Sequence, residues 1–99
     1  MSVIARVLAD RDLAFVRLLA QKVVAERRSV ALLATPQPQP SLVFAQSAGL
    51  PHNMGAMMKD TTAAFGGRGG GSKDFAQGSI ADPTKLDDAL QHAASLLRS

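Results

Sequence analysis

The chain has 99 residues, a formal net charge of +3 and no cysteine. That length suits one domain with a modest core, and the lack of cysteine excludes disulfides, thiolate metal ligands and a cysteine nucleophile. Nine of the 11 Lys and Arg residues, but only four of the 8 acids, precede position 74, a distribution that favours a polyanionic partner. The longest apolar run, 30–34, is far too short to span a bilayer, so no membrane association is expected.

The first half of the chain predicts a strand, a helix and a pair of strands. Apolar residues over 3–8 have the pattern of a short strand, and helical periodicity then runs over 11–27 with Asp10 as the expected N-cap. Two further apolar runs of strand length cover 29–35 and 41–46. The proline-rich link between them predicts a hairpin with a stiff connection.

The second half predicts two helices with a glycine-rich segment and a strand between them. Helical spacing covers 52–65, and a strand pattern covers 75–80. Asp82 is the expected cap of the last helix, with Pro83 at its first position. Because a helical crossover favours parallel strands and a hairpin makes antiparallel ones, the order of elements predicts an α/β (α+β) fold. We expect one domain over 1–99, with a mixed β-sheet of about four strands covered by three helices.

The segment 66–78 holds six of the eight glycines in the chain. Glycines leave backbone N–H groups uncovered, and Arg68 and Lys73 add positive charge, so we expect this loop to face a phosphate backbone. Its spacing matches neither a Walker loop nor a dinucleotide fingerprint. The alternative interpretation is a helix C-cap at Gly66 followed by a tight turn, which accounts for one or two of the glycines.

No catalytic residue and no metal site are predicted. His52 and His92 are the only histidines, and neither has partners at metal-ligand spacing; His92 is expected to be an exposed polar residue and His52 to help start a helix. Asp74 follows the glycine run, where a carboxylate can hold turn amides or anchor Arg68. Lys59 is a candidate for a basic rim beside the loop.

Read as a whole, the sequence Gly-Gly-Arg-Gly-Gly-Gly-Ser-Lys-Asp-Phe-Ala-Gln-Gly at 66–78 resembles the signature of the DHHA1 domain, in the form that closes alanyl-tRNA synthetases. Two positions depart from the usual pattern: Lys73 stands where proline is usual, and Ser79 replaces a glycine. Ser72 follows the triple glycine where related phosphoesterases carry histidine, which favours the synthetase branch. The resemblance implies a DHHA1 fold and a domain that is not catalytic by itself and needs no cofactor.

The resemblance also implies a partner and a set of contacts. The partner is tRNA, with tRNA-Ala the expected species, bound at its outer corner through phosphates and shape, and the other domains of a longer parent synthetase are further partners. The residues expected to contact nucleic acid are Gly66, Gly67, Arg68, Gly69, Gly70, Gly71, Ser72, Lys73, Gln77 and Lys59. The expected compartment is the cytoplasm, or the mitochondrial matrix if the parent carries a transit peptide, and the oligomeric state stays open.

Two alternative functions remain open from the sequence. One is a nucleic-acid or nucleotide substrate-binding domain of a DHH-family phosphoesterase, whose metals and nucleophilic water a separate domain would supply. The other is an oligomerisation or protein-interaction domain.

Overall fold

A mixed β-sheet carries one helix on one face and two helices on the other. The computed structural model describes residues 2–98, and no helix within them is both long enough and apolar enough to cross a membrane. In chain order the elements are β1 (Ser2–Val7), α1 (Leu13–Glu26), β2 (Ser29–Thr35), β3 (Ser41–Gln46), α2 (Met54–Ala64), β4 (Arg68–Gly71), β5 (Phe75–Ser79), a 3-10 turn (Pro83–Lys85) and α3 (Leu86–Leu96).

The strands lie in the order β1-β2-β3-β5-β4. β1 runs parallel to β2, as the helical crossover through α1 predicts, and the other neighbours are antiparallel. The predicted fold class, a mixed sheet with three helices, is therefore confirmed, and the sheet holds five strands. β1 and β4 are its two edges.

Each face of the sheet has its own apolar core. β2 and β3 are buried along their whole length, as expected for continuous apolar strands that are covered on both faces. On the α1 face the core is formed by Val16, Ala20, Ala31, Leu33, Val43 and Ala45. On the other face α2 and α3 close a larger core that includes Leu32, Phe44, Met54, Met58, Leu86 and Leu90.

The prediction that the glycine run forms a loop is wrong for Arg68–Gly71, which forms β4 and pairs antiparallel with β5. A run of glycines has neither apolar alternation nor strand propensity, so no local pattern indicates this strand. It forms because it is paired with β5 on one side and packed under α2.

Side-chain caps begin α1, α2 and the 3-10 turn, and they differ from the prediction at two places. The N-cap of α1 is Asp12 rather than Asp10, since the Phe15 N–H donates to Asp12 Oδ1 at 3.0 Å. Asp10 lies two residues too early because the helix begins at Leu13. Asp82, the cap predicted for the last helix, caps the 3-10 turn that leads into α3: its Oδ1 accepts from the Thr84 N–H at 2.9 Å, while α3 itself begins at Leu86 with no side-chain cap.

Candidate nucleic-acid interface

Gly66 ends α2 and directs the chain into β4. Its φ of 73° lies in the left-handed region that favours glycine, and the next N–H, from Gly67, donates to the Thr62 carbonyl at 2.8 Å. This arrangement is a glycine C-cap. The capping interpretation is thus confirmed at Gly66, which leaves the other glycines to be explained.

Two glycines of the segment are required by close packing against α2. A Cβ on Gly69 would lie 2.7 Å from Met58 Cγ and 2.8 Å from Gly78 Cα, and a Cβ on Gly78 would lie 2.8 Å from Met58 Sδ. By contrast, a Cβ on Gly70 would meet only Lys59 Cε, at 3.4 Å. Helix α2 therefore lies directly on Gly69 and Gly78, a steric reason for glycine that involves no ligand.

The turn between β4 and β5 closes the N-terminus of α2. The Met54 N–H donates to the Lys73 carbonyl at 2.8 Å, and the Gly55 N–H donates to the Ser72 carbonyl at 2.9 Å. The Ala56 N–H is capped by the Asn53 side chain at 3.0 Å. These N–H groups are the ones that a helix N-terminus offers to an anion. Because they are already paired, the start of α2 is not an anion site.

Buried hydrogen bonds hold this turn against the end of β3. Gln46 is 2% exposed, and its Nε2 donates to His52 O at 2.6 Å, Lys73 O at 3.2 Å and Asp74 Oδ1 at 2.9 Å. Asp74 therefore pairs with Gln46 instead of Arg68.

The other polar groups of the turn are also engaged. Lys73 Nζ donates to the Leu50 carbonyl at 2.9 Å, and Ser72 Oγ bonds the Phe75 backbone. The Lys73 ammonium is therefore hydrogen-bonded to the chain segment before α2, although the residue is exposed.

A polar half of the sheet lies uncovered on the α1 face. Helix α1 packs on β2 and β3, while Gly69 and Gly78 face α2 on the opposite side. Since side chains alternate along a strand, their neighbours on β4 and β5 lie on the α1 face, and all of them are exposed or half-buried. We call this surface the open shelf; it consists of Arg68, Gly70, Phe75, Gln77 and Ser79.

Four of the predicted contact residues meet at the edge of the open shelf. Gly70 is paired with Gln77, and Arg68 is exposed at the start of edge strand β4. Lys59 is exposed on α2, and its side chain reaches the level of Gly70. The remaining predicted residues shape the backbone or the turn: Gly66, Gly67, Gly69, Gly71, Ser72 and Lys73.

The sequence did not indicate a hollow that adjoins the open shelf. The hollow is about 510 Å³ in volume and lies between α1 and the turn, with Gln21, Val24, Ala25, Asp74 and Phe75 in its wall. The alternation of Phe75 with Gln77 along β5 is the signal that could have placed this ring on the shelf face.

His92 lies between two helices and is half-buried, so the expectation of an exposed residue is wrong. Its ring meets Phe65 edge-on with 6.0 Å between centroids, and its Nε2 lies 3.6 Å from Asp60 Oδ1 on α2. This burial results from the packing of α3 onto α2, which the spacing of apolar residues along α3 alone does not reveal. Within residues 2–98, no group of three or more His, Cys, Asp or Glu side chains could hold a metal ion.

Known relatives of this chain are alanine–tRNA ligases. The enzyme of Methanocorpusculum labreanum is 36% identical over 76 residues, which are 77% of this chain and 8% of that protein. The enzyme of Cutibacterium acnes is 54% identical over 37 residues, which are 37% of this chain and 4% of that protein. The chain thus spans less than a tenth of the length of these relatives.

A solved structure has the same fold. The C-Ala domain of alanyl-tRNA synthetase from Aquifex aeolicus superimposes with a TM-score of 0.88 over 98% of this chain and 91% of that one, at 21% identity. Residues 3–99 also match the DHHA1 domain. The resemblance carried by the glycine-rich segment is therefore confirmed, and the chain belongs to the DHHA1 domain family.

Proposed function

We propose that this domain binds tRNA as the C-terminal domain of an alanyl-tRNA synthetase, through phosphates and the shape of the folded RNA. The observation that carries the proposal is the open shelf, an uncovered polar half-sheet with cations at its free edge. Aminoacylation belongs to the rest of the parent protein, and tRNA-Ala is the species that the relatives suggest.

The charges at the shelf edge are free to meet phosphates. Neither Arg68 nor Lys59 takes part in either of the ion pairs found in the described part of the chain. Lys and Arg side chains that neutralise phosphates release counterions, which supplies much of the affinity for nucleic acids. Two unpaired cations beside one strand therefore support contact with an RNA backbone.

The backbone of β4 adds a donor at the same edge. The Ser72 N–H donates to the Phe75 carbonyl at 2.9 Å, and the alternation of an antiparallel ladder then directs the Gly69 N–H away from β5. Backbone N–H groups are common phosphate ligands. The glycine run thus supports the proposal at an uncovered strand edge, although the carbonyls of the turn itself accept hydrogen bonds from α2.

The test is the affinity for a folded tRNA-Ala transcript, with a charge-matched control. We expect Arg68→Gln to weaken binding several-fold. Arg6→Gln removes the same charge from β1, at the opposite edge of the sheet, and should leave the affinity nearly unchanged. Equal losses in the two variants would show that only net charge matters and would contradict the assignment of the shelf.

Shape recognition is tested with a transcript whose elbow is disrupted by substitution of its loop contacts. A domain that reads the shape of folded tRNA binds this transcript more weakly than the native one. Equal affinity for both would exclude recognition of the elbow. The phosphoesterase alternative predicts instead a contiguous DHH metal-binding domain upstream in the parent gene.

A further inference from the structure

The hollow between α1 and the turn has the composition of a small-ligand site. Its volume of about 510 Å³ lies within the range of roughly 300–1,000 Å³ that is usual for such sites. Val24, Ala25 and the ring of Phe75 supply apolar walls, and Asp74 and Gln21 supply polar groups. Phe75 packs partly against the α1 core and is half-buried, so its ring is held in place but not covered.

The polar groups that line the hollow differ in whether they are free to form further hydrogen bonds. Ser47 also lines it, but its Oγ already donates to Val24 O at 2.7 Å and Arg27 O at 2.8 Å. Asp74 uses Oδ1 for Gln46, and within residues 2–98 its other carboxylate oxygen has no hydrogen-bond partner. Gln21 is exposed on α1. The hollow therefore offers a carboxylate, on which Oδ2 and a second lone pair of Oδ1 can still accept, and one amide beside an aromatic ring.

We infer that this hollow binds one unstacked nucleobase, with guanine preferred, on the ring of Phe75. A base needs a flat apolar partner on its face and complementary hydrogen-bonding groups at its edge, and unstacked bases in RNA are read in this way. Guanine presents N1–H and an amino group side by side, which match the Asp74 carboxylate, and its O6 can accept from the Gln21 amide. Uracil presents a single N3–H between two carbonyl oxygens, so it offers the Asp74 carboxylate one donor where guanine offers two.

The position of the hollow joins this site to the proposed phosphate contacts, and the inference rests on the proposed function. Phe75, Gln77 and Ser79 follow one another on the same face of β5. An RNA strand whose phosphates lie along Arg68 and the β4 edge can therefore place a base at Phe75. The hollow would then add base preference to a surface that otherwise recognises charge and shape.

The first experiment uses the native chain and free mononucleotides. A ¹⁵N-labelled sample is titrated in separate NMR experiments with GMP, AMP, CMP, UMP and ribose 5-phosphate. We expect GMP to shift the amide signals of Val24, Ala48 and Phe75 at the lowest concentration and UMP at the highest. Ribose 5-phosphate, which has the phosphate but no base, should leave these signals in place.

Two variants then test the role of each group. Phe75→Leu keeps an apolar side chain in the core but removes the ring, and we expect it to weaken GMP binding about tenfold. Asp74→Asn retains an oxygen that can accept from Gln46, so the turn should persist while the preference for GMP over UMP is lost. Well-dispersed amide spectra confirm that both variants are folded.

The outcomes separate this inference from the proposed function. If tRNA binding depends on Arg68 but GMP shifts the hollow no more than UMP or ribose 5-phosphate does, the base site is overturned and the proposed function stands. If GMP binds at Phe75 but tRNA does not bind at all, the base site stands and the proposed function is overturned. Unchanged GMP affinity in folded Phe75→Leu would also overturn the base site.

Discussion

Identical residues in the glycine run have different roles because their surroundings differ. Gly66 is needed for its positive φ at the end of α2, whereas Gly69 is needed because the helix side chain Met58 occupies the space where a Cβ would be. Gly70 has neither constraint and faces the open shelf. Ligand binding is therefore not required to explain the glycines at 66 and 69. Gly70 is the position of the open shelf at which the absence of a side chain leaves the backbone uncovered.

We expect Gly69→Ala to lower the free energy of unfolding by about 1–3 kcal/mol, because an added carbon in a packed site forces its neighbours to shift. Its Cβ would lie 2.8 Å from backbone Gly78 Cα, whereas Gly70→Ala would place a Cβ 3.4 Å from the flexible end of Lys59. Both substitutions restrict the unfolded chain equally, so Gly70→Ala is the matched control. Urea denaturation measures both, and equal losses would contradict the packing explanation.

Gln46 shows how one buried side chain can hold three segments together. Gln46→Leu keeps the volume of the side chain roughly constant but removes the donor to His52 O and Asp74 Oδ1, while Lys73 O keeps its bond from the Met54 N–H. We expect the free energy of unfolding to fall by about 1–3 kcal/mol, the usual cost of unsatisfied buried polar groups. Gln91→Leu, at an exposed position of α3, is the control and should change stability little. A similar loss in both variants would argue against the network.

At the scale of elements, α2 and the β4–β5 hairpin stabilise each other. The carbonyls of the hairpin turn accept hydrogen bonds from the first N–H groups of α2, and α2 covers the glycines of the hairpin. The bounds of β2 and β3 could be predicted because continuous apolar runs indicate buried strands. The strand β4 could not be predicted, because its pairing with β5 and its packing under α2 are tertiary contacts. They leave no local pattern in its four residues, one arginine and three glycines.

The start of the last helical segment gives a pH-dependent prediction. Hydrogen bonds from the Thr84 hydroxyl and then the Thr84 N–H lower the pKa of Asp82 below its ordinary value of 3.8. A lowered folded-state pKa means that the ionised cap stabilises the fold above that ordinary value, and that this contribution is lost as pH falls through the folded-state pKa.

We therefore expect Asp82→Ala to lower the Tm slightly at neutral pH, because a helix N-cap is lost. The difference from the native chain should narrow as the pH falls below 3.8, the ordinary value for the carboxyl. Thr84→Val removes only the hydroxyl bond and should give a smaller loss. Thermal melts across a pH series measure both variants, and a difference that does not change with pH would show that the carboxylate charge is irrelevant.

At the scale of the whole molecule, the core and the candidate site occupy different strands of the same sheet. β2 and β3 are buried on both faces, while α1 leaves β5 and β4 uncovered on its side. Composition predicted a basic partner surface, and the resemblance predicted Arg68, Gly70 and Gln77 within it. The hollow at Phe75 could not be predicted, because it depends on how far α1 extends over the sheet and not on any residue of its own.

The arrangement of charge on the whole molecule leads to a prediction about salt. Each phosphate that a cation neutralises adds about 0.9 to the magnitude of the slope of log affinity against log salt on duplex DNA and about 0.7 on single strands. We expect Arg68→Gln to reduce the slope for tRNA binding by about that amount. Adding Lys59→Gln to the same chain should reduce the slope again. Arg6→Gln, four strand spacings or roughly 19 Å away, should leave the slope unchanged. Affinities measured from low to physiological salt give the slopes. An equal reduction for each substitution, Arg6→Gln included, would mean that tRNA binding depends only on net charge and that β4 is not the contact.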